Sequence, residues 1–256
     1  QIYEQKEEHA SALEELESFF DAKLTMGRGP FLLLARILEK LGEKDSLTLR
    51  LETLARTDPR NSDLQFFLAD QYASNDRLED AETIYRRALE NKPSSEAYLG
   101  LAKIYRQQKK ARELLENLAN ALSRSDEIGA LAQEFEVEMK AIEEDQKLLD
   151  AMVKIVRDDT KDGAAGAHYA KIYLLAQLSG RVKKTDEAVE FYRLALKANP
   201  SQASIVLRRI AELQMENDQY AEAAETYQEA VNNPLLQGDR PNNMLYLAFA
   251  QEMAGD

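Results

Sequence analysis

The chain has 256 residues and a formal net charge of −13, with 44% hydrophobic and 31% charged residues, 10 Gly, 6 Pro and no Cys. That length holds one or two ordinary domains, and a composition rich in Leu and Ala but poor in chain breakers favours helix over sheet. The charge argues against nucleic acid as a partner and against an anionic membrane. Lack of Cys excludes disulfide and thiolate chemistry without deciding the compartment, and no apolar run approaches the roughly 20 residues of a membrane span.

In chain order, residues 1–27 read as an N-terminal helical segment, with Ile2–Phe20 presenting Ala12, Leu13, Leu16, Phe19 and Phe20 on one face. The opening at Gln1, with no initiator Met or signal peptide, reads as a piece of a longer or processed chain. A break at Gly27–Pro30 follows, with Pro30 suited to the first turn of the next helix. Residues 28–125 read as a block of about three helical hairpins. Its clearest unit is Ser62–Pro93: Phe66, Leu68, Ala69 and Tyr72 on a first helix, a polar turn at Asn75–Arg77, then Leu78, Ala81, Tyr85, Ala88 and Leu89 on a second. The order recurs in Arg28–Asn61 through Phe31, Leu34, Ala35, Leu38, Gly42, Leu47, Leu51, Leu54 and Pro59, and Pro59 lies 34 residues before Pro93. In Ser95–Arg124 it reads Tyr98, Leu101, Ala102, Tyr105, Leu114, Leu118 and Ala121, without the closing proline.

Over 126–165 the signature is lost. A degenerate acidic helical pair is expected there, its faces carried by Leu131, Phe135, Met139 and Ile142, then Leu148, Leu149, Met152, Val153 and Val156. Asp158–Ala167, with Gly163 and Gly166, is the expected hinge or loop. The pattern returns over 166–235 as two repeats: Tyr169, Ile172, Tyr173, Gly180, Ala188, Tyr192, Ala195 and Pro200, then Leu207, Ile210, Ala211, Ala223, Tyr227, Ala230 and Pro234. The first of these is expected to carry an insertion of about three residues at Arg181–Lys184. Residues 236–256 read as a C-terminal helix over Met244–Met253, either a cap or the first half of a further repeat.

This succession (apolar then small, an aromatic, a turn, alanine, aromatic, alanine, proline) resembles the tetratricopeptide repeat (TPR) family. The resemblance implies an all-α, right-handed superhelical solenoid of antiparallel helix hairpins, with the first helix of each pair lining a concave groove that takes a peptide, helix or protein. The expected function is a non-catalytic interaction scaffold; the alternative is a structural component of a larger or self-associating assembly that uses the solenoid ends or convex face. Groove positions on the first helices give Arg36, Lys40, Phe66, Asp70, Lys103, Arg106, Arg208, Glu212 and Met215 as candidate partner-binding residues. Exposure of Phe66 would favour the groove, and apolar exposure around Ile2–Phe20 or Met244–Met253 would favour assembly through the ends. The Lys–Asn pair of the family's carboxylate clamp has no counterpart, since the matching positions hold Leu32 and Arg36, Phe66 and Asp70, and Leu99 and Lys103.

Between Asp126 and Asp162 twelve acidic residues face five basic ones, so a basic partner is the expected charge match. The two histidines, His9 and His168, lie far apart with no ligand spacing, and no phosphate-cradling glycine loop occurs. No enzyme activity, cofactor, metal, nucleic acid or direct membrane insertion is expected; a homo-oligomer is compatible with the alternative reading.

Overall fold

A computed structural model describes residues 9–22, 27–124, 129–161, 163 and 168–255, with the side chain of residue 130 left out. Fourteen α-helices and no strand occur among them. They are α1 (His9–Asp21), α2 (Gly29–Leu41), α3 (Leu47–Thr57), α4 (Ser62–Ser74), α5 (Leu78–Asn91), α6 (Ser95–Gln107) and α7 (Ala111–Leu122). After them come α8 (Ala132–Glu143), α9 (Gln146–Asp159), α10 (Tyr169–Arg181), α11 (Thr185–Ala198), α12 (Ala203–Glu216), α13 (Tyr220–Asn232) and α14 (Arg240–Ala254). The fold is an all-α helical-repeat solenoid. The chain divides into an N-terminal unit, Gln1–Ile104, and a C-terminal unit, Tyr105–Asp256.

Local chemistry sets the hairpin turns. Asp76, Lys109, Lys183 and Asp218 are the non-glycine residues at positive φ, each at the centre of a three-residue link between helices. In all four the residue after the left-handed one donates its N–H to the carbonyl five residues back, as from Arg77 to Tyr72 and from Lys184 to Ser179. This is the Schellman closure, which satisfies carbonyls that the helix end leaves open. The same pattern closes α2 at Gly42, where φ is +76° and Glu43 N–H reaches Leu38. The α8–α9 link lacks it: Glu144 is right-handed, and Asp145 caps α9 by accepting from Leu148 N–H. Loss of the sequence signature over 126–165 therefore coincides with a different turn.

Left-handed lysine is strained, by roughly 1 kcal/mol relative to glycine. Lys183 is exposed. Lys183→Gly is expected to raise the stability of the C-terminal unit by up to about 1 kcal/mol, and Lys183→Val to lower it by more than 1. Thermal unfolding of the two variants checks this; equal midpoints would contradict it.

The expected insertion at Arg181–Lys184 is absent. α10 has 13 residues and is followed by a three-residue link, as α4 is. Gly180 does not end its helix. It sits inside the last turn, where an added Cβ would already touch Leu213 at 3.5 Å and Ala188 at 3.8 Å. Of the hinge expected at Asp158–Ala167, Asp158 and Asp159 end α9 while residues 162 and 164–167 lie outside the described residues, as do residues 1–8 of the expected N-terminal helix.

Large rings bridge successive helices of the N-terminal unit. Phe20 of α1 stacks on Phe31 of α2 at 5.7 Å, and Phe31 meets Phe67 of α4 at 5.9 Å. Phe66 stacks on Tyr85 at 5.4 Å. Small residues allow close approach: Ala69, Ala81 and Ala102 are fully buried, and Gly100 lies directly under the Tyr85 ring. The C-terminal unit repeats the device with Ala176, Ala188, Ala211 and Ala223, all fully buried.

Candidate functional site

The candidate residues of the N-terminal unit lie on α2, α4 and α6, the first helices of their hairpins. Arg36 and Lys40 are exposed on α2. Asp70 is the hub: it takes Arg28 at 2.9 Å, accepts from the Tyr85 hydroxyl at 3.0 Å, and lies 3.6 Å from Lys103. Arg28 also binds Glu96. Burial raises the Glu96 carboxyl above its ordinary range despite Arg28, and burial with the Asp70 charge raises the Tyr85 hydroxyl.

Phe66 requires a correction. It is 5% exposed and packed on Tyr85, so the ring is core and offers no surface to a ligand. The physical reason is the small residues around Tyr85, which draw the helices close enough to enclose both rings. Exposure of Phe66 therefore gives the groove no support.

In the C-terminal unit, Arg106 is held by Glu138 of α8 through two hydrogen bonds, 2.6 and 3.3 Å, with side chains 24% and 7% exposed. Arg208 and Arg209 both reach Glu212, at 3.7 and 2.9 Å. Met215 packs against the Ala211–Ala223–Tyr227–Ala250 cluster. Among these candidates only Glu212 borders an open cleft within the unit, of about 530 Å³. Phe135 and Met139 of α8, Gln177 and Arg181 of α10, and Arg209 and Leu213 of α12 line it as well.

Sequence reasoning missed most of these lining residues. A signal was present: Asp70, Lys103 and Glu212 each follow the small buried alanine of a first helix, and Gln177 holds the same place after Ala176. Extending that register to α10 finds Gln177. Phe135 and Met139 had no such frame, because α8 carries no alanine signature.

Half of the acidic middle is paired inside the unit. Glu136 and Glu143 bind Arg181, Glu138 binds Arg106, and Asp145 binds Lys109. Asp150 meets Lys184 at 3.4 Å and Asp159 meets Arg112 at 3.3 Å. Six of the twelve acids thus tie α8 and α9 to bases on their neighbours, so only part of the run's charge is open to a basic partner. Hydrogen bonds from Arg181 hold Glu136 below its ordinary range, and those from Lys109 and Leu148 N–H do so for Asp145.

These shifts have opposite signs in the two units. A depressed carboxyl adds stability above its unfolded value and loses it as pH falls through the folded one, so Glu136 and Asp145 weaken the C-terminal unit below about pH 4. A raised carboxyl adds stability in acid and loses it as pH rises, so Glu96 favours the N-terminal unit on the acid side of its raised value. Amide exchange by segment should show α8–α9 deprotected first in an acid titration. In Glu96→Gln the N-terminal unit should lose any gain in protection that the native chain shows as pH falls from neutral toward the ordinary carboxylate range. Uniform loss across both units would contradict the assignment.

Among the described residues no cluster of three His, Asp or Glu is placed to hold a metal, and no helix is long and apolar enough to cross a membrane. His168 precedes α10 without a side-chain cap, and burial lowers its imidazole below the ordinary value.

Two family models described as tetratricopeptide repeat match, at residues 49–105 and 172–202. No curated protein sequence matches significantly. Among solved structures, the crystal structure of MamA is 14% identical, with 85% of this chain and 92% of that one covered and a TM-score of 0.33. The APC/C hetero-tetramer Cut9–Hcn1 is 15% identical over 94% of this chain, which spans only 47% of that one, with a TM-score of 0.39. Residues 1–338 of Acl4, the assembly chaperone of RpL4, are 14% identical, covering 100% and 96%, with a TM-score of 0.32. The chain thus carries tetratricopeptide repeats, matched in each of its two units, within an all-α helical-repeat fold.

Proposed function

We propose that the chain is a non-catalytic scaffold that binds a peptide, helix or protein through a concave groove formed by its first helices, centred on the cleft of the C-terminal unit. The observation that carries this is the cleft's makeup. An apolar floor of Phe135, Met139 and Leu213 is rimmed by Gln177, Glu212 and Glu216, contributed by the three first helices α8, α10 and α12. Apolar depth gives affinity and convergent polar groups give orientation. Arg36, Lys40, Asp70 and Lys103 would make the corresponding face of the N-terminal unit, with Asp70 and Lys103 partly engaged already. Arg106 and Met215 are held by internal contacts and belong to its supporting frame, while Arg208 stays exposed beside Glu212.

The five-part organisation 1–27, 28–125, 126–165, 166–235 and 236–256 belongs to this reading. Its support is the left-handed turn, present in the hairpins either side of 126–165 and absent between α8 and α9.

The test fills the cleft. Ala132→Trp with Gln177→Trp should leave the helical signal in circular dichroism intact and abolish capture of the partner that the native chain retains. Undiminished capture would overturn the groove reading.

A further inference from the structure

Three of the second helices carry the order Ala-x-x-x-Tyr-x-x-Ala: Ala81, Tyr85 and Ala88 in α5; Ala188, Tyr192 and Ala195 in α11; Ala223, Tyr227 and Ala230 in α13. In α5 the tyrosine hydroxyl is used internally, since Tyr85 donates to Asp70, the residue after the buried Ala69 of α4. Gln177 holds that place in α10, after the buried Ala176, and there the bond is missing. Among the described residues neither the Tyr192 hydroxyl nor the Gln177 carboxamide has a hydrogen-bond partner, and both groups line the cleft.

Tyr192 is 5% exposed and its ring is fixed edge-on against Tyr173, so the hydroxyl cannot swing out to bulk solvent. Burial raises the hydroxyl above its ordinary value, which keeps it protonated and a donor. An occupant that dried the cleft without offering an acceptor would strand that donor, at a cost. The arginines of the same wall are already matched: Arg181 is held by Glu136 and Glu143, and Arg209 by Glu212. Glu216 is exposed on the rim and has no ion-pair partner among the described residues.

These groups select one kind of occupant. The floor of Phe135, Met139 and Leu213 takes an apolar side chain. Tyr192 needs an acceptor, and the Gln177 carboxamide both gives and accepts, which matches the C=O and N–H of a main chain. A helix has those groups tied up in its own ladder, whereas an extended segment leaves them free. Glu216 suits a Lys or Arg beside the apolar anchor.

We propose that the cleft takes an extended peptide segment of a partner protein, a backbone carbonyl accepting from Tyr192, an apolar side chain on the floor and a basic neighbour at Glu216. This rests on the cleft being the binding groove, and narrows its occupant from peptide, helix or folded surface to extended main chain.

The probe is a random library of labelled, end-blocked octapeptides selected on the full chain, the best binders being titrated by fluorescence anisotropy to about 1 mM. Binders are expected to share an apolar residue beside Lys or Arg and to tolerate flanking proline, which a helical ligand would not. Tyr192→Phe keeps the ring and its packing, and should weaken binding about three- to tenfold with unchanged circular dichroism. Tyr227→Phe, the same deletion at the same register outside the cleft's lining, should leave binding unchanged. Replacing peptide amides by esters one at a time should find a position that weakens binding to the native chain but not to Tyr192→Phe. Ala132→Trp, which fills the cleft, separates the two kinds of failure. Peptides that bind the filled chain equally well would defeat the groove reading itself. Peptides lost on filling yet indifferent to Tyr192→Phe, binders that need helical structure, or a library without a binder would overturn this proposal alone.

Discussion

Gly100→Ala is expected to destabilise the N-terminal unit by roughly 2 kcal/mol, although the change puts a better helix former into α6. The propensity gain is at most about 1 kcal/mol. Against it, a methyl at Gly100 would fall onto the Tyr85 ring, 2.6 Å from Cε2 and closer still to Cε1 and Cζ. The ring has nowhere to go: it is 2% exposed, stacked on Phe66, and its hydroxyl donates to Asp70. The methyl must therefore push α6 away from α5, which also strains the Arg28–Glu96 and Asp70–Lys103 pairs that tie α6 to the start of α2 and to α4. A double-mutant cycle separates the two contributions. With Tyr85→Ala already in place, Gly100→Ala should become neutral or stabilising. Amide exchange across α4–α6 is the suitable readout, since a chain of two units need not unfold in one step. Equal costs in both backgrounds would mean that the ring and the glycine do not confront each other.

The second large effect lies at Glu138. Removing one member of a desolvated pair leaves the other charge without its partner, at a cost of about 3 kcal/mol. Glu138→Ala should approach that figure in the C-terminal unit, because Arg106 keeps its place at 24% exposure with both hydrogen bonds gone. Replacing both members, Glu138→Leu with Arg106→Met, should recover most of the loss, since burying an ion pair carries a desolvation penalty that apolar substitutes avoid. Urea unfolding followed by exchange at α8 reads both variants. If the double replacement is as damaging as the single one, the pair supplies something beyond charge compensation.

Much of the fold was legible because packing imposes a spacing. The small alanines and the tyrosines four residues after them fix where helices approach, and all five expected hairpins have both of their helices. What escaped was set by tertiary context. The sequence reads Arg181–Lys184 as an insertion, yet α10 runs through Gly180 to Arg181, with Leu213 and Ala188 close around the glycine, and the link that follows has the usual three residues. Phe66 reads as a groove residue by register, but its neighbours are small enough to bury it. The acidic run reads as a surface for a basic partner, whereas half of its carboxylates find counter-charges in Arg106, Lys109, Arg112, Arg181 and Lys184, all of them outside the run itself. The cleft was the least legible feature, because two of its three floor residues, Phe135 and Met139, come from α8, a helix without the repeat's signature.

Site-specific photo-crosslinking tests the central claim most directly. A photoreactive residue is placed at Gln177, on the cleft, and in a second chain at Gln228, exposed on the second helix α13. The account predicts partner adducts from Gln177 and none from Gln228, with the Gln177 adducts lost when Ala132→Trp fills the cleft. Adducts from Gln228 alone, or from both positions and unchanged by the filled cleft, would contradict it.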